Sequence, residues 1–209
     1  WKEDINTHES EARQYYVVNV ETPGTLGRLI KAAKKNPDKI RNLKVTGQIT
    51  DKDFYFMRDS MAILEAVNLK EAKVKDDAIP SNAFNGKTTL VYFSFPEKVV
   101  DIASYSFSGT MLSGALVIPD DVVTIGANSF SNTLISSVSF GNKLKSIGAN
   151  AFSRCTSLSG KLIFPESLES IGSGSFSNCS FSGRLVLPNA LTYIGGSAFQ
   201  YAGSFTGDL

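Results

Sequence analysis

Few side chains here could do acid–base or nucleophilic chemistry. The 209 residues hold one histidine, His8, in a polar leading stretch, and two cysteines, Cys155 and Cys179. A serine or cysteine nucleophile would lack its usual base, and a histidine-rich metal site cannot be built. Serine and glycine are frequent, but neither G-x-S-x-G nor a phosphate loop is spelled. Serine is therefore read as solvated coil surface, and the protein as a non-enzyme. Asp76-Asp77 and Asp120-Asp121 lack the alternating oxygen ligands of a calcium loop, and the second pair follows Pro119, where turns favour aspartate. No metal and no cofactor are expected. The densest basic group, Lys31, Lys34, Lys35, Lys39, Arg41 and Lys44, falls opposite or beside the apolar side of a helix without interleaved aromatics, so a solvated face is expected and nucleic acid is not.

Those sparse groups sit in a chain built to fold. Hydrophobic residues make up 42% and charged residues 20%, too apolar for disorder. The formal charge is +1, so no global field draws it to nucleic acid or an anionic membrane. No run of about 18 apolar residues could span a bilayer. The leading residues lack an apolar signal core, which leaves a cytosolic protein or one whose export signal has been removed. Of the 41 charged residues, 31 precede residue 103 and Ser, Gly, Asn and Thr replace them afterwards, so two regions of different surface chemistry are expected.

The second region repeats itself: 99-VVDIASYSFSGTMLSGALVIP, 122-VVTIGANSFSNTLISSVSFG, 144-LKSIGANAFSRCTSLSGKLIFP, 168-LESIGSGSFSNCSFSGRLVLP and 191-LTYIGGSAFQYAGSFTGDL. Anchor phenylalanines Phe84, Phe107, Phe130, Phe152, Phe176 and Phe199 recur every 22 to 24 residues. Such a period marks a solenoid, in which no unit can bury its apolar face alone. In each coil, residues two apart such as Leu162 and Phe164 point inward from a first strand. Pro96, Pro119, Pro165 and Pro188 end that strand, with Gly141 in one unit. A second inward pair such as Leu168 and Ile171 leads to Gly126, Gly148, Gly172 or Gly195, read as tight bends. The Ala/Ser-Phe step suits one helical turn, and Leu112, Ile135, Leu158, Phe181 and Phe205 close the circuit. Gly114, Gly160, Gly183 and Gly207 add a residue that 135-ISSVSF lacks, which a bulge would absorb. Cys155 and Cys179 share a column with Thr110, Thr133 and Ala202, which wants a small buried side chain. Parallel inward vectors suit a disulfide poorly, so free thiols are expected and a bond is the lesser reading.

These units resemble the BspA-like leucine-rich repeats, whose pattern L-x-x-I-G-x-x-A-F-x-x-C-x-x-L is nearly complete in 144-LKSIGANAFSRCTSL-158. The resemblance implies an α/β solenoid, a right-handed leucine-rich repeat superhelix of 22–24-residue coils, and an exported bacterial surface protein of adhesin or matrix-binding type. Upstream, residues 15–20 read as a strand and 25–36 as a helix with Leu26, Leu29, Ile30 and Ala33 on one face. Looser coils carry strands at 43–45 and 67–69 and a helix at 51–61. The expected organisation is a polar tail at 1–13, an N-terminal α/β cap at 14–62, and a repeat array at 63–209 that is open at its end and so truncated from a longer parent.

The leading functional expectation is a cell-surface or secreted recognition module binding a host or matrix protein or glycan. The alternative is a scaffold positioning another domain of the parent, an enzymatic one included. By the resemblance, the first-strand ladder lines the concave side, five backbones packed at strand spacing. Outward positions there give the binding candidates Tyr92, Ser94, Val117, Ser139, Lys161, Ile163, Arg184 and Val186. Lys161 and Arg184 beside Ile163 and Val186 have the anchor chemistry for a carboxylate-bearing ligand.

Overall fold

The computed structural model describes residues 13–206. Strand β1 (Tyr16–Val20) alternates, turning Val18 and Val20 into the core and leaving Val17 exposed. Helix α1 (Leu26–Ala32) buries Leu26 and Ile30; Leu29 and Ala33, expected on the same apolar face, stay exposed. After β2 (Asn42–Ile49), helix α2 (Asp51–Ser60) buries Phe54 and Met57. Its Asp53 is buried and accepts the backbone N–H groups of Thr50 (3.0 Å), Gly24 (2.7 Å) and Leu26 (3.0 Å). One carboxylate thus caps α2 and pins the start of α1. Strands β3 (Ala66–Asn68), β4 (Ala72–Val74), β5 (Ala78–Ile79) and β6 (Tyr92–Ser94) follow. β1, β2, β3 and β6 pair in parallel in that order, placing Tyr16, Leu43, Val67 and Phe93 in one inward row, and β4 pairs with the far end of β2.

From β5 onward the units stack through a second set of strands. β5 is followed one repeat at a time by β7 (Asp101–Ile102), β9 (Thr124–Ile125), β11 (Ser146–Ile147), β13 (Ser170–Ile171) and β15 (Tyr193–Ile194), a six-stranded parallel sheet. Its register is unbroken, with Ile79, Ile102, Ile125, Ile147, Ile171 and Ile194 in line. Behind it the anchor phenylalanines form one continuous stack: successive ring centroids from Phe84 to Phe199 lie 5.7, 5.2, 5.3, 5.3 and 5.7 Å apart with planes within 19° of parallel. Phe54 of α2 packs edge-on against Phe84 at 5.8 Å, joining the helical segment to the repeat core. This is a leucine-rich repeat fold, mostly strands with parallel sheets and few helices.

The expected first-strand ladder is interrupted. β6 ends the sheet begun by β1; β8 (Ser113–Val117) pairs only with β10 (Leu134–Ser139); β12 (Ser159–Gly160), β14 (Ser180–Gly183) and β16 (Gly203–Phe205) form a third sheet. The difference in unit length is absorbed within a paired sheet, between β8 and β10. The register slips between Ile135 and Ser137, where the units differ by one residue, and Gly114, Gly160 and Gly183 take φ of +77°, +80° and +83°. Only glycine adopts that backbone cheaply. Gly207 lies outside the described residues.

Two further expectations are corrected. The Ala/Ser-Phe step is a chain of turns and not a helical turn, because the residues two before the anchors (Asn82, Tyr105, Asn128, Asn150, Gly174, Ser197) and two after them (Gly86, Gly109, Asn132, Arg154, Asn178, Tyr201) all have positive φ. Left-handed residues at that spacing stop a helix before it propagates. Gly126, Gly148, Gly172 and Gly195 do not bend the chain by left-handed geometry. A Cβ there would stand 2.6, 2.6, 2.5 and 2.3 Å from a backbone nitrogen of the preceding coil, so glycine is required by close approach.

Candidate recognition surface

The outward side of the first strands divides into a closed half and an open half. In β6, Tyr92 and Ser94 do point away from the core, yet each is only 6% exposed. Ser94 Oγ donates to Tyr92 Oη at 3.0 Å, and the Arg13 guanidinium lies 5.4 Å from the centre of the Tyr92 ring. Tyr15, in the same row across the sheet, has its phenol pushed up to about 12, chiefly by burial and then by Tyr92. Tyr92 and Ser94 are thus largely withdrawn from solvent; the missed signal was that the N-terminal strands continue the same sheet and bring Arg13 and Tyr15 alongside them.

The remaining candidates are accessible. Val117 is 42% exposed, Ile163 71% and Val186 60%, and Ser139, Lys161 and Arg184 are exposed. Ile163 and Val186 are directly paired by a parallel bridge between their coils. With Lys161, Arg184, Glu166 and the inward Leu162 and Phe164 they line a cleft of about 460 Å³. A second cleft, of about 380 Å³, lies at the break between β6 and β8, lined by Tyr92, Ser94, Leu116 and Val117 among others.

Several other polar groups are held within the fold. Ser106, Ser129 and Ser175, each just before an anchor phenylalanine, are fully buried, which corrects their reading as solvated surface. Each hydroxyl donates to carbonyls of its own coil and the preceding one, as Ser175 does to Gly172 and, at 3.1 Å, to Gly148. Cys155 and Cys179 are free and buried. Burial pushes both thiols up, Cys179 to about 12, so neither is a ready nucleophile. Asp77 and Asp121 pair with Lys98 (2.5 Å) and Lys143 (2.6 Å) of the following coils, and those lysines hold Asp121 below its usual range. Lys31, Lys34, Lys35 and Lys39 are exposed, while Arg41 and Lys44 pair with Glu65 and Glu71. Among the described residues no three His, Cys, Asp or Glu side chains gather as a metal site, and no helix is long and apolar enough to cross a membrane. His8 lies outside the described residues.

Comparison with known proteins places this geometry. A family model described as BspA type leucine rich repeat region matches residues 77–206 in six copies. A leucine-rich repeat protein from Bacteroides ovatus is similar at 22% identity, over 63% of this chain and 39% of that one, with a TM-score of 0.53. A leucine-rich cell surface protein from Faecalibacterium prausnitzii (15% identity, 91% and 72% coverage, TM-score 0.33) and the pneumococcal vaccine antigen PcpA (16%, 90% and 60%, 0.42) are more distant in shape. The chain spans about two fifths of the length of the Bacteroides protein. No curated protein matches it.

Proposed function

The chain belongs to the BspA-type leucine-rich repeat family, and from that premise we propose a non-catalytic recognition module at a bacterial surface. Its binding face is the open half of the first-strand ladder, carrying Val117, Ser139, Lys161, Ile163, Arg184 and Val186, and its ligand is a protein or glycan. The observation that carries the reading is the exposure of Ile163 and Val186, two paired aliphatics standing out of a serine- and glycine-rich coil. Backbones bonded coil to coil hold such side chains in place, so binding costs little ordering entropy. The same reading takes residues 63–209 as a right-handed solenoid and residues 14–62 as its cap, since an uncovered first coil would expose unpaired backbone and apolar ladder ends. Surface placement follows the character of the family.

The test is an array of extracellular proteins and glycans probed with the purified chain and with a Val117→Glu/Ser139→Glu/Ile163→Glu/Val186→Glu variant of unchanged melting temperature. Hits that the variant loses are expected; undiminished binding moves the site to another face. An antibody against the chain should label intact source cells, and labelling only after lysis contradicts the surface placement.

A further inference from the structure

We propose that the cleft between the coils of Ile163 and Val186 accepts an acidic segment of an extended polypeptide, its carboxylate held by Lys161 and Arg184. This rests on the recognition reading and deepens it. Lys98, Lys143 and Lys145 of the repeat region each pair with an acid of a neighbouring coil. Lys161 and Arg184, both exposed, enter no ion pair among the described residues. The bridge between Ile163 and Val186 puts Lys161 beside Arg184 two residues back along both chains. A Cβ on Gly183 would lie 3.7 Å from Lys161 Cγ, so the lysine stem already runs over the arginine coil. Two cations with no ion pair among the described residues thus stand on adjacent coils, a fork and a point charge suited to a carboxylate.

The apolar half of the cleft sets the rest of the ligand. Residues two apart on an extended chain are about 6.6–6.8 Å apart on one face. A peptide lying along the coils can therefore set an acidic side chain on the Lys161–Arg184 pair and, two residues on, an aliphatic one on Ile163 and Val186. Glu166, at the far wall past Pro165, favours a neutral or basic side chain beyond that and gives the cleft a direction. The accessible apolar surface is aliphatic, since Phe164 is buried. It lacks the flat aromatic platform on which a sugar ring packs, which favours a peptide over a carboxylated glycan.

The probe is a short fluorescein-labelled polythreonine peptide with one glutamate two positions before a leucine, compared with its glutamine counterpart by fluorescence anisotropy at about 50 mM salt, where charge contacts are least screened. The glutamate peptide is expected to bind about tenfold tighter. That preference should vanish in Lys161→Gln/Arg184→Gln, while Ile163→Ser/Val186→Ser weakens both peptides alike; all variants are checked for an unchanged melting temperature. Equal affinity for the two peptides, no binding of either, a preference that survives Lys161→Gln/Arg184→Gln, or tighter binding of an oligogalacturonate by the cation pair overturns the proposal. If array hits still depend on the outward face in any of those cases, only the acidic-peptide assignment falls; loss of the array dependence removes the recognition reading itself.

Discussion

Three residues after four of the six anchor phenylalanines, Phe107, Phe130, Phe152 and Phe176, a small side chain donates to a phenylalanine carbonyl; Lys87 and Ala202 hold the position after Phe84 and Phe199. Thr110 and Thr133 reach the carbonyl of their own anchors, Phe107 (2.8 Å) and Phe130 (2.9 Å). Cys155 and Cys179 reach those of the preceding coil, Phe130 (3.1 Å) and Phe152 (3.3 Å). The column was legible as small and buried, but its donor role was not, because nothing in a Thr/Cys/Ala alternation states which carbonyl lies within reach. Burial raises both thiol pKa values above the ordinary value near 9, Cys179 to about 12. A folded-state pKa raised in this way means that unfolding releases protons in that range. The stabilising contribution is therefore complete below pH about 9 and is lost as pH climbs toward about 12. Denaturant midpoints measured from pH 8 to pH 10.5 should fall more steeply for the natural chain than for Cys155→Thr/Cys179→Thr, which copies the residue of the neighbouring coils. Parallel curves would show that the thiols are not held protonated.

The elements derive their order from contacts between units. Phe152 is enclosed by Phe130 on one side and Phe176 on the other and is fully buried, whereas Phe199 has a stacked anchor only at Phe176 among the described residues and is partly exposed. Phe152→Ala should therefore cost about 3–5 kcal/mol through the cavity it leaves, and Phe199→Ala clearly less, read as shifts in denaturant midpoint. Equal losses would contradict the stack. Much of this level was legible in the sequence, since the 22–24-residue recurrence of phenylalanine, proline and Ile-Gly already defined the coil. What stayed hidden was which strand set would be continuous. Both sets are apolar and short, and nothing in their residues ranks one above the other; the one-residue length difference at 135-ISSVSF and the positive-φ glycines Gly114, Gly160 and Gly183 lie inside strands that pair. Asp53 was hidden for a related reason: its three N–H partners lie on two elements brought together only by folding.

The whole molecule is a chain of interdependent units presenting one open face. Of eight surface candidates, the six from Val117 onward stand in the open, and the four around Ile163 share one cleft; Tyr92 and Ser94 were lost because side-chain alternation gives direction but not what lies above. Rigid presentation depends on bonds between coils. The anchor amides of Phe107, Phe130, Phe152 and Phe176 each donate forward to a carbonyl of the next unit at 2.7–2.8 Å, and Gly126, Gly148, Gly172 and Gly195 donate backward to the preceding isoleucine at 2.7–2.8 Å. Native-state hydrogen exchange at single-residue resolution reads this directly. The four anchor amides and four glycine amides should exchange as one cooperative block, with protection stepping down only toward Gly195. Separate protection levels for each unit, or a fast-exchanging Phe130 or Phe152 amide, would contradict a continuous stack as the support of the proposed recognition face.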